Sequence, residues 1–342
     1  MRYENGRHVS PRENELTAVT ERAVFDAYPG PNLGRTPEKQ SRWVDFREKY
    51  NAAHTANYVP DFPLQLDFEL NSTCQLRCAF CLHGQQVVKR KDLPFELFLK
   101  AIQEAAEHNL VSVKFNYINE PLLVPDLERY IACARSFGVL NTYFATNGIL
   151  LTQERARTLI ASGLSKIMVS IDAATADTYR AVRGAWKFTE VVANVTEFVQ
   201  LRERLGREFP KVRVNFVRTE VNAHEEEAFV KYWSGIADSI GLQTQVAVPG
   251  DNADLYRVQG VQQDASEFKC SFPFKLLVID ASGNILPCCT FSGRSMPLGN
   301  IADTTLAEAW YRARGLRELH MQSRWQENPA CKHCMLGGAQ NG

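Results

Sequence analysis

The sequence predicts an α/β fold in which six strand–helix units form an open, partial (βα)6 barrel. Runs rich in β-branched and aromatic residues recur through the middle of the chain, and each is followed by a stretch with helical periodicity. Such alternation indicates parallel strands joined by right-handed crossovers, and six units are too few to close a barrel of eight strands. The predicted strands are 64–70, 111–116, 139–146, 166–171, 212–217 and 242–248. The predicted helices lie near 94–108, 126–137, 152–162, 174–182, 188–204 and 224–239.

Three segments of different character divide the chain. Residues 1–60 contain two helical patterns, Arg12–Tyr28 and Glu38–Ala53, and we expect an N-terminal helical leader there. The barrel is expected to occupy residues 61–255. A small α+β domain is expected over 256–342, with a hairpin (LLVID, then NILP), a helix near 304–320 and a terminal CKHC motif.

Composition excludes several classes of partner. Hydrophobic residues make up 45% of the 342 residues and charged residues 23%, which is ordinary for a globular enzyme. The 39 basic and 39 acidic residues cancel, so neither nucleic acid nor an anionic membrane is expected as the main partner. The opening MRYENGRHVSPRENELT lacks the apolar core of a secretory signal. We therefore expect a cytoplasmic protein.

The nine cysteines are the most informative residues. Clustered cysteines in a reducing compartment are more typical of metal ligands than of disulfides. Two groups stand roughly 190 residues apart, which predicts two metal centres, and Cys133 lies alone on a predicted helix, where we expect a core residue. The first group is Cys74, Cys78 and Cys81, and the second is Cys270, Cys288, Cys289, Cys331 and Cys334.

The first group forms a CxxxCxxC motif directly after the first predicted strand. Three thiolates on a cluster of four irons leave one iron open. That iron can chelate the amino and carboxylate groups of S-adenosylmethionine, and an electron from the cluster then releases a 5′-deoxyadenosyl radical. The alternative is a zinc site in which His83 is the fourth ligand.

Further motifs at predicted strand ends make the chain resemble the radical S-adenosylmethionine superfamily over about residues 62–340. Phe80 precedes the third cysteine of the motif, and the run YINEP at 117–121 resembles the GGEP motif with both glycines replaced. A TNG turn, an SID run and an AVRG run follow the next strands in order. The resemblance implies a barrel of radical S-adenosylmethionine type and an external electron donor of flavodoxin or ferredoxin type.

The resemblance also implies which residues contact S-adenosylmethionine. Phe80 would flank the adenine, Glu120 would accept hydrogen bonds from the methionyl ammonium, and Arg183 would pair with the methionyl carboxylate. Polar strand ends would reach the ribose hydroxyls. A simple turn, a surface arginine or a capped strand end are the alternatives for individual residues. The expected contacts are Phe80, Asn119, Glu120, Asn147, Ser170, Asp172 and Arg183.

The second group supplies four thiolates, from Cys270, Cys288, Cys331 and Cys334. With Gly283 five residues before Cys288, it is similar to the shortened SPASM domain called Twitch, which binds one auxiliary 4Fe–4S cluster. Four protein ligands leave no open iron, so such a cluster is an electron conduit or acceptor. A structural zinc on the same thiolates is the alternative.

Cys289 directly follows a predicted ligand. A thiol beside the auxiliary cluster can give a hydrogen atom to a substrate radical, because S–H bonds are weaker than C–H bonds. The alternative is a buried small apolar residue or a substitute ligand. His333, between two ligands, is expected to orient a sulfur by a hydrogen bond, and His320 is expected at the surface or a helix end.

Resemblance to Twitch-bearing aminocyclitol dehydrogenases implies oxidation of a secondary alcohol on a sugar, aminocyclitol or similar polyol. One alternative is epimerisation of a sugar carbon with Cys289 as hydrogen donor. Another is modification of a ribosomal peptide, which usually requires an amino-terminal strand pattern that residues 1–60 lack. A two-cluster electron carrier is the non-enzymatic alternative. The sequence identifies no general base, and candidates for substrate contacts are Arg218, Asp251, Asn252 and Asp254.

Overall fold

The computed structural model describes most of the chain. The described ranges are 36–54, 58–81, residue 83, 88–244 and 270–336, together with three short strands near the amino end. Asp251, Asn252 and Asp254 lie outside the described residues, as do residues 245–248 of the sixth predicted strand and the side chain of His333.

The amino-terminal segment contains an antiparallel sheet that the sequence did not predict. Its strands are β1 (Arg2–Glu4), β2 (Arg7–Val9) and β3 (Ala18–Thr20), in that order. The helix expected over Arg12–Tyr28 is therefore wrong at β3, where β-branched Val19 and Thr20 favour extended backbone.

The second leader helix is confirmed as α1 (Pro37–His54). Its start follows the rules for helix caps, since the Thr36 hydroxyl accepts a hydrogen bond from the Lys39 amide at 3.4 Å and Pro37 occupies the first helical position.

The six predicted strand–helix units are all present. The last helix ends early, at Trp233, because Gly235 follows, and the sixth strand therefore begins at Ser239 rather than at 242. The strands are β4 (Gln65–Phe68), β5 (Ser112–Lys114), β6 (Asn141–Thr146), β7 (Lys166–Ser170), β8 (Lys211–Arg218) and β9 (Ser239–Thr244). The helices are α2 (Phe95–Glu107), α3 (Leu127–Ser136), α4 (Gln153–Ala161), α5 (Ala176–Arg183), α6 (Phe188–Arg204) and α7 (Glu226–Trp233).

Three further strands and three helices follow. The hairpin is present as β10 (Leu276–Ile279) and β11 (Asn284–Leu286), and β12 (Gly299–Asn300) adds to it. The helix expected near 304–320 is two helices, α8 (Leu306–Arg312) and α9 (Arg314–Met321). The CKHC motif lies on α10 (Pro329–Leu336).

The described residues fall into two compact units. The first unit draws on 1–31, 74–87 and 143–261, and the second on 32–73, 88–142 and 262–342. Residues 262–342 thus share a unit with the first two barrel strands.

In the first unit the strands pair in parallel and in chain order, as the prediction requires. Ile167 and Val169 of β7 are buried while Lys166, Met168 and Ser170 are partly exposed, so one face of the strand lies in the core and the other is more accessible. Buried apolar pairs such as Val169 with Val214 fix the register between β7 and β8.

In the second unit β10 pairs in parallel with β4, and β4 with β5. The hairpin therefore extends the barrel strands instead of standing apart. All four residues of Leu276–Ile279 are buried, which is typical of a strand covered on both faces. In neither unit do the described strands close into a ring, so the fold is α/β with open parallel strands.

No helix in the described part of the chain is long and apolar enough to cross a bilayer.

A carboxylate of α2 caps α8 and offers a test of this arrangement. The Leu306 and Ala307 amides each donate to Glu104 at 2.9 Å. We expect Glu104→Ala to lower the free energy of unfolding by about 1–3 kcal/mol, because two amides at a helix start lose a charged acceptor. Glu107→Ala, at an exposed position of the same helix, is the matched control. Equal denaturation midpoints for the two variants would contradict the role of Glu104.

Candidate active site

The loop that carries Cys74, Cys78 and Cys81 lies against the end of α5 in the first unit. The Ala79 amide donates to the Val182 carbonyl at 3.1 Å. Gly184, just after α5, has a φ of +75°, and a Cβ there would lie 2.8 Å from the Arg77 carbonyl oxygen. The loop and the helix end therefore approach as closely as a glycine allows.

Two of the three sulfurs receive side-chain donors. The Asn147 amide nitrogen lies 3.8 Å from the Cys74 Sγ, and its oxygen is fixed by the Ile149 amide at 3.1 Å and by Gln75 at 3.2 Å. The Arg183 guanidinium donates to the Cys78 Sγ at 3.5 Å. Donors of this kind stabilise thiolates that bind a cluster.

Arg183 is held in place by Asp172. Their charged groups are 2.7 Å apart, and both side chains are buried. The other oxygen of Asp172 accepts from the Val217 amide at 2.7 Å. Burial by itself would lower the pKa of the Arg183 guanidinium. Asp172 and the Cys78 sulfur have the larger effect, and together they raise that pKa. The ion pair thus fixes a permanent positive charge beside a cluster ligand.

The first unit therefore brings most of the predicted S-adenosylmethionine contacts together. The Arg183 guanidinium lies 5.7 Å from the centre of the Phe80 ring, and Ser170 is half-buried at the end of β7. Asp172 and Arg183 bind each other and Cys78, a contact that their separate predicted roles did not include. Their contacts with S-adenosylmethionine stay predictions, as do those of Phe80, Asn147 and Ser170.

Asn119 and Glu120 lie in the second unit and are both buried. The Glu120 carboxylate accepts from the Leu122 amide at 3.0 Å. The Asn119 oxygen accepts from the Tyr117 amide at 3.0 Å, while its amide nitrogen has no hydrogen-bond partner in the described part of the chain. A buried donor left in this state is suited to a bound ligand.

Tyr117 connects the same motif to the second cysteine group. Its hydroxyl donates to the Thr290 carbonyl, and the Thr290 hydroxyl lies 3.4 Å from the Cys288 Sγ. Burial raises the pKa of Tyr117, so the phenol remains a donor. The YINEP run thereby reaches the auxiliary site within one unit.

The four cysteines of the auxiliary site line one pocket in the second unit. A Cβ on Gly293 would lie 2.6 Å from the Cys288 carbonyl oxygen and 3.0 Å from its Sγ, so a glycine is required there. The lining consists of Cys270, Pro273, Cys288, Thr290, Ser292, Met296, Leu316, His320, Ala330, Cys331 and Cys334.

His320 is a member of this site that sequence reasoning missed. It was expected at the surface or a helix end, but it is buried near the end of α9, and its Nε2 lies 3.5 Å from the Cys331 Sγ. Burial lowers the pKa of His320 to about 4, so the imidazole is neutral at pH 7. The only sequence signal is its position four residues after Leu316, on the same face of α9.

The auxiliary pocket has a ligand set that fits a cluster. Cys270, Cys288, Cys331 and Cys334 all line it, and four cysteine sulfurs match the thiolate set of a 4Fe–4S cluster.

Three other predicted residues have distinct surroundings. Cys289 is half-buried against the apolar cluster that contains Tyr117 and Leu276. Arg218 donates to Glu226 at 2.6 Å. Cys133 is half-buried on α3, so its expected place in the core is wrong.

Two family models match this chain. Residues 68–204 match the radical SAM superfamily, and residues 270–335 match SPASM, an iron-sulfur cluster-binding domain. The two matches contain the two cysteine groups.

The curated relatives have names that describe different activities. The chain is 29% identical over 203 residues to the mycofactocin maturase MftC of Mycobacterium ulcerans, a match that covers 57% of this chain and 51% of the maturase. It is 22% identical over 276 residues to the S-adenosyl-L-methionine-dependent 2-deoxy-scyllo-inosamine dehydrogenase of Niallia circulans, covering 79% of this chain and 91% of the dehydrogenase. It is 24% identical over 308 residues to the PqqA peptide cyclase of Streptomyces rochei, covering 82% of this chain and 84% of the cyclase. The chain thus spans about half the length of the maturase and most of the other two.

Among solved structures, the crystal structure of BtrN in complex with AdoMet and 2-DOIA has a TM-score of 0.53 at 18% identity. The match covers 79% of this chain and 92% of that chain. At this identity the likeness establishes the fold.

The close approach at Gly184 predicts a selective effect on the first cluster. We expect Gly184→Ala to reduce the iron content from about eight per chain to about four, because the Cβ displaces the Arg77 carbonyl and with it the cysteine loop. Gly206→Ala is the matched control, since Gly206 also has a positive φ, of +62°, but no atom within 4 Å of its Cβ. Iron analysis that does not separate the two variants would contradict this.

The contact at Gly293 predicts the converse effect on the second cluster. We expect Gly293→Ala to lose the auxiliary cluster and keep the first, so that the remaining electron paramagnetic resonance signal still changes when S-adenosylmethionine is added. Gly315→Ala, on α9 with nothing within 4 Å of the added Cβ, should retain both clusters. Two intact clusters in the Gly293 variant would show that the added carbon is tolerated.

Proposed function

Because the chain belongs to the radical SAM superfamily and carries a SPASM iron-sulfur domain, we propose that it oxidises a secondary alcohol on a sugar, aminocyclitol or similar polyol. The observation that carries the proposal is the auxiliary site, where four cysteines line one cavity. A cluster with four protein ligands has no iron to offer a substrate, but it can accept an electron. The alignment with a named inosamine dehydrogenase over 91% of its length supports the same reaction.

The cofactors that these two families bind are 4Fe–4S clusters and S-adenosylmethionine. When bound, they supply a 5′-deoxyadenosyl radical, which takes a hydrogen atom from carbon, and an acceptor for the second electron. An external donor of flavodoxin or ferredoxin type provides the first electron.

Different residues of the chain hold the two clusters and orient S-adenosylmethionine. Cys74, Cys78 and Cys81 hold the first cluster, with Asn147 and Arg183 donating toward two of the sulfurs. Glu120 and the other predicted contacts orient S-adenosylmethionine. Cys270, Cys288, Cys331 and Cys334 hold the auxiliary cluster, with neutral His320 beside one sulfur.

Epimerisation is the second candidate, and the state of Cys289 favours it. Burial raises the pKa of this thiol, so it retains its S–H hydrogen at neutral pH. A hydrogen atom delivered from Cys289 to a carbon radical would invert the carbon. The cysteinyl radical left behind would regain its thiol by taking one electron, which the auxiliary cluster would supply when bound, and one proton from solvent.

Peptide modification is a third candidate. A helical amino-terminal segment would disfavour a peptide substrate, but three strands are present there. A relative named as a peptide cyclase aligns over 82% of this chain. Binding of a precursor peptide to a protein lacking residues 1–31, compared with the full chain, tests this candidate.

Product mass separates the first two candidates. We expect anaerobic incubation of the reduced protein with S-adenosylmethionine and 2-deoxy-scyllo-inosamine, or a related polyol, to give a ketone lighter by two hydrogens, about one per 5′-deoxyadenosine. Mass spectrometry measures both. Cys74→Ala should form neither product, because the first cluster loses a ligand.

An unchanged product mass, with one deuterium gained in heavy water, would instead support epimerisation. In that case Cys289→Ala should trap a non-inverted product, whereas Cys133→Ala, a change at another half-buried cysteine, should not. No deuterium and no mass change with any polyol would leave peptide substrates.

A further inference from the structure

Two oppositely charged residues lie near the carboxyl ends of the first two barrel strands in the second unit. Asp67 of β4 and Lys114 of β5 are register partners. The lysine Nζ lies 3.6 Å from one carboxylate oxygen, and the side chains are 18% and 1% exposed for Lys114 and Asp67 respectively. Neither residue belongs to the cysteine sites or to the predicted S-adenosylmethionine contacts.

A series of hydrogen bonds between polar side chains orients the Asp67 carboxylate. The Gln65 amide donates to one oxygen of Asp67 at 2.7 Å, the Ser112 hydroxyl donates to Gln65 at 3.0 Å, and the Asn141 amide donates to Ser112 at 2.9 Å. Three neighbouring strands thus orient one acid. The second oxygen of Asp67 faces Lys114 and accepts no hydrogen bond in the described part of the chain.

This arrangement is costly for a purely structural ion pair. A buried carboxylate is destabilising unless both oxygens are well satisfied. Here one oxygen is satisfied by Gln65, while the other has an ammonium beyond ordinary hydrogen-bond distance. A group held rigidly but left able to accept a further hydrogen bond is typical of an acid–base site.

The pair also lies where a substrate is expected. Lys114 is the last residue of β5, and Asp67 is next to last in β4. Active sites on parallel strands lie at these carboxyl ends. The flanking residue Phe68 contacts Phe98 of α2, so Asp67 points away from the helix layer.

The auxiliary loop is close to the same pair. Cys289, which follows an auxiliary ligand, packs against an apolar cluster that contains Val278. Val278 is the register partner of Asp67 on β10. The pair therefore lies on the side of the strands from which an electron would leave the substrate.

We propose that Asp67, held by Gln65 and paired with Lys114, is the base that accepts the hydroxyl proton when the substrate alcohol becomes a ketone. The inference rests on the proposed dehydrogenation. The carbon-bound hydrogen leaves as an atom to the 5′-deoxyadenosyl carbon, the hydroxyl proton passes to Asp67, and the remaining electron goes to the auxiliary cluster as the C=O π bond forms. The Lys114 ammonium stabilises the negative charge that develops on the substrate oxygen.

The charge environment of Asp67 suits this role. Burial raises the pKa of Asp67 above its usual value, while Lys114 and Gln65 moderate the rise. The raised pKa brings the acid nearer to neutral pH, which favours proton acceptance. Among the described residues, the register partner of Asp67 on β10 is Val278, which has no titratable group, and its register partner on β5 is Lys114. Cys289 packs against the cluster that contains Val278.

Asp67→Asn tests the proposal, because the amide keeps the shape but accepts no proton. The probe is 2-deoxy-scyllo-inosamine deuterated at its carbinol carbons, with mass spectrometry of 5′-deoxyadenosine and ketone. We expect deuterium transfer into 5′-deoxyadenosine to persist while the ketone formed per 5′-deoxyadenosine falls at least about 100-fold. Lys114→Met should lower the same ratio, and Lys114→Arg should restore most of it.

Acidification provides an independent readout. In the unmodified chain the ratio should fall as the pH drops through the pKa of Asp67, since protonated Asp67 accepts no proton. In Asp67→Asn the low ratio should not change with pH. The matched control is Asp126→Asn, at an exposed acid paired with Arg129, which should behave as the unmodified chain.

The outcomes separate the two proposals. Wild-type ketone formation with an unchanged ratio in Asp67→Asn would overturn the base and leave dehydrogenation standing. Parallel loss of 5′-deoxyadenosine and ketone, with loss of iron or of circular dichroism, would assign Asp67 a structural role and also overturn the base. No ketone from the wild type would overturn dehydrogenation and the base together.

Discussion

Thiolates that bind iron must stay charged in a protein interior, and this constraint organises both cysteine sites. Burial favours the protonated thiol and raises the pKa of Cys78, while Arg183 opposes that rise. A positive charge there is itself costly to bury, so it requires Asp172, whose second oxygen is fixed by a strand amide. The need to keep the Cys78 sulfur charged therefore accounts for the positions of Arg183 and Asp172, and for the β8 amide that holds Asp172.

The two sites meet the same need for close approach in different ways. At the first, Gly184 combines a positive φ with contact to the Arg77 carbonyl, so both the backbone conformation and the space require glycine. At the second, Gly293 has no unusual φ, and only the nearness of the Cys288 carbonyl and sulfur requires it. The groups beside the sulfurs differ as well, because a permanently charged guanidinium lies beside Cys78 and a neutral imidazole beside Cys331.

Local patterns allowed much of this to be predicted from sequence, and non-local contacts account for most of the rest. The spacing of Cys74, Cys78 and Cys81 and the alternation of strands with helices are short-range signals. The structure confirms the alternation, and the cysteine ligands stay a prediction. Val19 and Thr20 lie within a pattern that is equally compatible with a helix, so the sequence did not predict the amino-terminal sheet. The pairing of β10 with β4 joins residues more than 200 positions apart, a contact that only tertiary packing determines. Asp67 and Lys114 are brought together by strand register alone, and no motif connects them.

In the two proposed reactions, the fate of the substrate radical depends on which neighbouring group acts first. In the proposed dehydrogenation, a hydroxyl proton lost to a base makes the radical a strong reductant, and the auxiliary cluster, when bound, would accept its electron. A hydrogen atom delivered from a thiol ends the reaction before that electron moves. Cys289 packs against the apolar cluster that contains Val278, the register partner of Asp67 on β10, so the proposed hydrogen donor and the proposed base lie within one unit. The burial that keeps Cys289 protonated also raises the pKa of Asp67, and the same low-polarity surroundings therefore favour the hydrogen donor and the base alike. Under the two proposals, the position of the substrate hydroxyl relative to Asp67 would decide between oxidation and inversion, because only a hydroxyl within hydrogen-bond reach of the carboxylate can lose its proton before the thiol delivers its hydrogen.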